Sequence, residues 1–366
     1  MTDPLELSIV VPTFCERENV PELIRRLDAC LKQHRWEVIF VDDNSPDGTA
    51  DVLRELAQRD DRIRCLLRIG RRGLSSACIE GMLASAAPVI AIMDADLQHD
   101  ETRLPTMLQA IRDKQADLVI GTRYAAGGSL GDLDASRAVM SRFATRLSHL
   151  ITTHNVSDPV SGFFMLRREV LDGAVRNLSG IGFKILLDLL ATTKSRLTIV
   201  EVPYTFKDRR TGQSKLDSMV LWEFGMLLAD KLIGRYVPVR FVAFALVGGA
   251  GVLVHMVVVA TLLNGLNIGF TPSQTTAVAA AMIFNYSVNN ILTYRDRRRR
   301  GVRWFTGLLS FIAACSVGAL ANVGIASFLF ERRTRWFVAA LAGILVGAVW
   351  NYTVTALYTW GGTKRR

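Results

Sequence analysis

Short apolar runs alternate with amphipathic stretches over the first 235 residues of the chain. The stretch Glu18–His34 is typical of a helix, because its leucines recur at the spacing of one helical face. Strands that alternate with such helices predict an α/β domain with a mostly parallel sheet. The β-branched runs with the length of strands are Leu7–Val11, Trp36–Val41, Ile63–Leu67, Val89–Met93 and Asp117–Thr122.

The last third of the chain carries four long uncharged runs, and each can cross a hydrocarbon core of about 30 Å. They are Phe241–Leu263, Thr275–Tyr294, Trp304–Phe330 and Trp336–Trp360. The second is the weakest, because Asn285, Asn289 and Asn290 cluster near its end. We predict an α/β domain over residues 1–215 and four transmembrane helices over residues 240–366. Residues 216–239 are too charged to span a bilayer, which favours interfacial helices over an ordinary amphipathic helix of the soluble domain.

The net charge of +10 belongs to the membrane part. Residues 1–236 carry 31 Lys/Arg and 32 Asp/Glu, whereas residues 237–366 carry 13 and 2. The basic residues lie in short clusters between apolar runs, which is typical of a membrane protein and not of a nucleic-acid-binding surface. We therefore expect a membrane partner and no nucleic acid.

The basic clusters also predict the orientation of the membrane domain. Arg295, Arg297–Arg300 and Arg303 separate the second and third runs, and Lys364–Arg366 follow the fourth, so these segments should be cytoplasmic. Arg332, Arg333 and Arg335 violate that rule. A repeated motif favours two hairpins of the same orientation. In that arrangement the catalytic domain and both termini are cytoplasmic. The motif reads Asn285-Tyr286-x-Val288-x4-Thr293-Tyr294 and then Asn351-Tyr352-x-Val354-x4-Thr359-Trp360.

The ends of the chain and its cysteines fit a cytoplasmic domain. The acidic start leads directly into a strand pattern, so we expect no signal peptide. The five cysteines are scattered and form no CxxC pair, which favours reduced thiols over a metal or disulfide framework.

Asp94-Ala95-Asp96 directly follows the apolar run Val89–Met93, and Gln98 lies two residues further on. Two carboxylates at the end of a buried strand can bind Mg²⁺ or Mn²⁺, which prefer oxygen ligands. The remaining ligands would come from a diphosphate, whose charge the metal neutralises. A solvated turn is the alternative for so short a motif. His99 is expected to be a hydrogen-bonding neighbour more than a metal ligand.

Other polar groups also follow predicted strands. Asp42 and Asp43 are candidates for binding a ribose or nucleobase, the alternative being an Asx-turn with Asp47 as helix cap. Glu16 follows the first strand. It is a candidate nucleotide contact, the alternative being a charge in the first turn of the following helix. Four cations in polar, Gly-containing contexts could bind phosphates, although each could equally be a solvated surface charge: Arg123, Arg137, Arg209 and Lys215.

These motifs, taken in order, resemble those of family 2 glycosyltransferases, in particular the dolichol-phosphate mannose synthases. The resemblance covers residues 5–217 and implies a GT-A-type fold; the tail resembles GtrA-type four-helix membrane domains. The chain departs from the family at Cys15, where Asn is usual, and at Asp100, where Pro is common. The motifs are Val11-Pro12-Thr13-Phe14-x-Glu16-Arg17-Glu18-Asn19, Val41-Asp42-Asp43-x-Ser45-Pro46-Asp47-Gly48-Thr49, Asp94-Ala95-Asp96-x-Gln98-His99, Gly121-Thr122-Arg123-Tyr124, Asp158-Pro159-x-Ser161-Gly162-Phe163-Phe164 and Arg209-x2-Gly212-x-Ser214-Lys215-Leu216.

The resemblance implies five sets of site residues. The nucleoside would contact Pro12, Phe14, Glu16, Val41 and Asp43. The diphosphate would contact Asp94, Ala95, Asp96, Gln98, Arg123, Arg209 and Lys215, and the metal ligands would be Asp94, Asp96 and Gln98. The acceptor phosphate would contact Arg123, Arg137 and Ser141. The residues expected to carry catalysis are Asp96, Arg123, Arg209 and Lys215.

The implied reaction transfers mannose from GDP-mannose to a polyprenyl phosphate, with inversion and with a divalent metal. An anionic acceptor needs positioning and charge stabilisation more than a strong base. UDP-glucose is the alternative donor, and an added role as a flippase for the lipid-linked sugar remains open, because intramembrane polar residues are often functional. A processive polysaccharide synthase is disfavoured, because its Gln-x-x-Arg-Trp motif does not follow Asp96.

Overall fold

The computed structural model describes residues 4–113, 115–124, 148, 151–152, 154–205, 218–234, 236–333 and 335–361. The chain divides into two compact units, Met1–Leu232 and Ile233–Arg366. The first unit is an α/β domain. Its strands are β1 (Leu7–Thr13), β2 (Trp36–Asp42), β3 (Ile63–Leu67), β4 (Val89–Ile92), β5 (Leu118–Thr122), β6 (Phe164–Arg167) and β7 (Ile199–Pro203).

The sheet has the order β3-β2-β1-β4-β6-β5-β7. All pairings are parallel except those of β6, which runs antiparallel to both β4 and β5. The five strands predicted from apolar runs are confirmed. Neither β6 nor β7 was predicted, because runs of four or five residues carry little periodic signal, and β6 in addition continues an apolar loop.

Helices cover both faces of the sheet, so the strands are buried on both sides. These helices are α1 (Asn19–Cys30), α2 (Thr49–Ala57), α3 (Leu74–Ala84), α4 (Leu104–Asp113), α5 (Arg168–Ala174) and α6 (Ile185–Thr192). In β1, Ile9 packs with Leu23 of α1 in one core, and Val10 packs with Met82 of α3 in the other.

Helix α3 approaches the sheet at Gly81. A Cβ atom there would overlap Cγ1 of Val10 and lie 2.9 Å from Cγ2 of Val41. The missing side chain therefore sets the distance between α3 and the two strands whose ends carry candidate nucleotide contacts.

Helix α7 (Ser218–Ile233) belongs to the first unit except for its last residue. Its Phe224 and Leu227 form an apolar cluster with Val160 and Leu187. This part of the predicted interfacial segment thus buries one face against the α/β domain. This packing agrees with the amphipathic pattern of residues 216–239, which both hypotheses share: interfacial helices and an amphipathic helix of the soluble domain.

The second unit is helical, with α8 (Val239–Ala260), α9 (Phe270–Ile291), α10 (Val302–Glu331) and α11 (Trp336–Val354). Within the described residues, three segments are long and apolar enough to cross a membrane: Val239–Gly265, Val302–Glu331 and Leu341–Thr359. Helix α9 is not among them, in keeping with its run of asparagines. Its crossing of the bilayer stays a prediction.

The repeated Asn-Tyr motif corresponds to a repeated contact. A Cβ on Gly251 of α8 would overlap Oδ1 of Asn285 in α9, and a Cβ on Gly318 of α10 would overlap Oδ1 of Asn351 in α11. The glycine therefore leaves the space that the amide oxygen occupies in both pairs, a close approach of the kind found where membrane helices cross at small residues. The two hairpins share this packing device.

Replacing Gly81 with Ala should destabilise the first unit by about 1–3 kcal/mol, because the added methyl group overpacks a filled core. The matched change Gly173→Ala, in α5, meets no atom within 4 Å and should leave stability unchanged or slightly higher. Thermal unfolding of the full chain in detergent compares the two. Equal melting temperatures would contradict the close packing of α3.

Candidate active site

The candidate site lies where parallel strands β2, β1 and β4 end side by side. In the sheet register Thr13 of β1 lies opposite Asp42 of β2, and Val10 lies opposite Ile92 of β4. The loops after these strands therefore meet at one edge, which is where open α/β sheets bind ligands. Pro12 pairs with Val41 at the same level. The Val41 side chain is buried beneath α3, so only its backbone faces this edge.

Asp42 stabilises its own turn. Its carboxylate accepts hydrogen bonds from the Ser45 backbone N–H at 2.9 Å and the Ser45 hydroxyl at 2.6 Å. The Asx-turn alternative thus describes Asp42. The carboxylate of Asp47, the expected cap, accepts a hydrogen bond from the backbone N–H of Thr49 at 3.0 Å. The N-cap position itself is occupied by Gly48. The backbone there is left-handed, with φ 86°, a conformation that favours glycine.

Asp43 is buried and paired. Its carboxylate accepts hydrogen bonds from Nη1 of Arg68 and from the backbone N–H of Gly73, both at 2.8 Å. Burial raises the pKa of the Asp43 carboxyl, and these two donors only partly offset that effect. A carboxylate fixed in this way is held rigidly at the edge of the sheet.

The loop after β1 lies against the loop after β2. The Cys15 backbone N–H donates to Oγ of Ser45 at 2.9 Å, and the Glu16 N–H donates to Oγ1 of Thr49 at 3.1 Å. The Glu16 carboxylate accepts a hydrogen bond from Asn19 at 2.7 Å. The Arg72 guanidinium lies over the Phe14 ring, with Cζ of Arg72 4.5 Å from the ring centre.

Asp94, Ala95, Asp96 and Gln98 form the turn after β4. The Asp94 side chain is 36% exposed, whereas Ala95 and Asp96 are buried. Oδ1 of Asp96 accepts the Gln98 backbone N–H at 3.2 Å. Leu97 is buried with φ 63°, a left-handed conformation that is costly for leucine and typical of functional turns.

His99 supports this turn. Its Nδ1 accepts the Asp94 backbone N–H at 3.0 Å, and its ring stacks on Phe163 at 5.2 Å. Burial lowers the His99 pKa to about 4, so the imidazole is neutral and its Nδ1 is occupied. His99 is a hydrogen-bonding neighbour of the aspartates, as expected.

Arg123 and Asp158 form a buried ion pair beside the turn. Nε and Nη2 of Arg123 donate to the two carboxylate oxygens of Asp158 at 2.8 and 3.0 Å. Burial lowers the Arg123 pKa, but the charge and hydrogen bonds of Asp158 outweigh burial and raise it overall. The same loop brings Gly162 against Asp94, where a Cβ would lie 3.1 Å from Oδ2.

Lys184 is a cation of this site that the sequence analysis missed. Its Nζ donates to the Val160 carbonyl at 3.1 Å. Burial, then the charge of Arg123, lowers its pKa to about 8, while Asp158 and Asp94 act in the opposite direction. The available signal was a lysine two residues after Gly180-Ile181-Gly182 and directly before the apolar residues Ile185–Leu187.

The other expected cations lie outside the described residues, as does the expected serine. These are Arg137, Ser141, Arg209 and Lys215.

The turn after β4 fits a divalent metal by its chemistry. Asp94, Asp96 and Gln98 offer oxygen donors of the kind that Mg²⁺ and Mn²⁺ prefer. Within the described part of the chain no group of three or more His, Cys, Asp or Glu side chains could bind a metal by itself. A metal here would therefore take further ligands from a bound diphosphate or water.

Two family models match the chain: "Glycosyl transferase family 2" over residues 8–173 and "GtrA/DPMS, transmembrane domain" over residues 243–360. A dolichol-phosphate mannosyltransferase of Pyrococcus furiosus is 34% identical over 358 residues, which are 97% of this chain and 99% of the relative. The chain belongs to the dolichol-phosphate mannosyltransferase family. It is a glycosyltransferase with a GT-A-like domain, and its GtrA-type helices make it a membrane protein.

Two further dolichol-phosphate mannosyltransferases match about two thirds of the chain. Those of Mycosarcoma maydis and Saccharomyces cerevisiae are each 35% identical, over 65% and 63% of this chain and 84% and 89% of their own lengths. Among solved structures, glucosyl-3-phosphoglycerate synthase from Mycobacterium tuberculosis is 16% identical, with a TM-score of 0.48 over 62% of this chain and 79% of that chain.

Lys184 gives the site a testable pH dependence. Only its protonated form attracts a phosphate, so kcat/KM for a phosphate-bearing donor should fall as the pH rises through about 8. Lys184→Met should lower kcat/KM and remove this alkaline limb. Initial rates measured from about pH 6.5 to 9.5 check this expectation. An unchanged limb in the variant would show that another group titrates.

Proposed function

We propose that this enzyme transfers mannose from GDP-mannose to a polyprenyl phosphate, with inversion and with a divalent metal, at the cytoplasmic face of the membrane. Relatives that match nearly the whole chain or about two thirds of it are named dolichol-phosphate mannosyltransferases. The observation that carries the proposal is the meeting of Asp94 and Asp96 with the Arg123–Asp158 pair and Lys184 at one sheet edge. Carboxylates for a metal and cations for phosphates are what a nucleoside diphosphate sugar requires.

The metal would be held by Asp94, Asp96 and Gln98, and when bound it would neutralise charge on the departing diphosphate. Lys184 supplies a positive charge beside the carboxylates and attracts the donor phosphates. Arg123 is held by Asp158, so its guanidinium keeps one orientation. A fixed cation costs no reorganisation when charge develops on the phosphates.

The acceptor's own phosphate oxygen would act as nucleophile. His99, the imidazole beside the aspartates, has a pKa near 4 and a hydrogen bond from the Asp94 backbone on Nδ1, so it is a weak base. A polyprenyl phosphate is already anionic near neutral pH. Direct attack on the anomeric carbon, with inversion, needs no proton removal by the protein.

The cytoplasmic location is supported by the arginines between α9 and α10. Arg295, Arg297–Arg300 and Arg303 lie at one end of both helices, and such clusters stay on the cytoplasmic side. With the parallel repeat of two hairpins, both termini and the α/β domain lie on that side.

Asp96→Asn should abolish transfer, because it removes a carboxylate of the metal site while keeping the side-chain size. Membrane insertion should be unchanged. Asp172→Asn, which neutralises an exposed carboxylate in α5, serves as control and should keep normal turnover. Both variants are assayed in membranes for labelled sugar in the lipid fraction; persistent transfer by Asp96→Asn would refute its role.

The donor is tested by incubating membranes that contain the chain with labelled GDP-mannose or UDP-glucose and extracting the lipids. We expect label from GDP-mannose, released by mild acid as a sugar phosphodiester would be. Label from UDP-glucose alone would replace the mannosyltransferase proposal with a glucosyltransferase. Membranes with Asp96→Asn provide the background.

A further inference from the structure

Lys184 reaches the site at the end of an irregular segment, Ser179–Lys184. Gly180 and Gly182 have φ 62° and 73°, in the left-handed region. The Gly182 carbonyl accepts the backbone N–H of Ser75 in α3 at 3.1 Å. Such a segment has no helix or strand pairing of its own, so other contacts must fix its course.

The buried carboxylate of Asp188 fixes the start of this segment. Asp188 is fully buried, and its Oδ2 accepts the backbone N–H groups of Ser179 at 2.9 Å and Gly180 at 3.0 Å. The Ser179 hydroxyl donates to the same oxygen at 2.9 Å. One carboxylate oxygen thus organises the turn four residues before Lys184.

The charge of Asp188 is compensated from α7. Nζ of Lys231 lies 2.5 Å from Oδ1 of Asp188, and the Lys231 side chain is only 12% exposed. The same Nζ donates to Oγ1 of Thr192 at 2.7 Å and to the Asn177 carbonyl at 3.4 Å. A buried carboxylate without such a partner would be strongly disfavoured.

Helix α7 also lies against the Ser179–Lys184 segment and against Val160, which binds the Lys184 ammonium at the end of that segment. A Cβ on Gly182 would lie 3.4 Å from Cβ of Glu223, so the backbone of the segment passes close under α7. Phe224 and Leu227 pack on Val160, whose carbonyl accepts the Lys184 ammonium. The helix thus borders both the course of the segment and the residue that anchors Lys184.

We propose that Asp188 and Lys231 are positioning residues, which hold the Ser179–Lys184 segment so that Lys184 contacts the donor diphosphate. The inference rests on the proposed function, in which Lys184 attracts the donor phosphates. Helix α7 ends six residues before α8 begins. The donor site is therefore organised from the helix that leads into the membrane domain.

The primary test replaces Lys231 with Met, which keeps the length of the side chain and removes its charge. Binding of GDP with Mg²⁺ to the full chain, measured by calorimetry, should weaken roughly tenfold or more, as for loss of a hydrogen bond to a charged group. KM for the donor should rise by a similar factor, with KM for polyprenyl phosphate nearly unchanged. Lys231→Arg should restore both, and Lys194→Met, at an exposed lysine, should match the original chain.

A double-mutant cycle separates positioning from general stabilisation. If Lys231 acts through Lys184, Lys231→Met should add little to the effect of Lys184→Met on GDP binding. Independent effects would multiply and would overturn the proposal, as would normal GDP binding by Lys231→Met. If Lys231→Met does not fold, Lys231→Gln, which retains a donor for Thr192, takes its place in the same cycle.

The outcome for the proposed function is read separately. The binding of GDP or UDP is measured without turnover. A chain that binds UDP and transfers glucose would refute GDP-mannose as the donor. The double-mutant cycle could then still be measured with UDP. A chain that binds neither nucleotide would contradict both proposals.

Discussion

A cation partner stabilises a buried carboxylate, and within the described part of the first unit three such pairs lie next to the candidate site. Asp43 pairs with Arg68, Asp158 with Arg123, and Asp188 with Lys231. Each pair joins segments that are distant in the sequence, and each fixes a loop next to the candidate site. The rigidity of these loops therefore comes from charge compensation as much as from apolar packing.

The alternation of apolar runs was sufficient to predict the α/β class and the edge of the sheet at which the candidate site lies. Parallel strands end on the same side, so Thr13, Asp42 and Asp94 had to be neighbours. The pattern did not reveal β6, because Phe164–Arg167 continues an apolar loop and is antiparallel to both neighbours. Sequence pattern detects long periodic elements better than short buried ones.

The pairings inside the site were beyond the reach of sequence reasoning. Asp43 and Arg68 are 25 residues apart, and Arg123 and Asp158 are 35 apart. Spacing alone cannot distinguish a buried aspartate from a solvated one. Lys184 was missed for the same reason: its importance depends on Val160 and Asp158, which a different loop brings to it. The motif resemblance named Arg123 but could not indicate that Asp158 orients it.

The repeated glycine–asparagine contacts bear on how the membrane part assembles. Each contact joins two helices that are consecutive in the chain, Gly251 with Asn285 and Gly318 with Asn351. Helices in a bilayer associate through close packing and polar contacts, without a hydrophobic force between them. Each hairpin thus carries its own contact for closing, which, with α9 crossing the bilayer as predicted, can form as soon as the second helix of the hairpin enters the bilayer. Biogenesis can then proceed one hairpin at a time, in the order of synthesis.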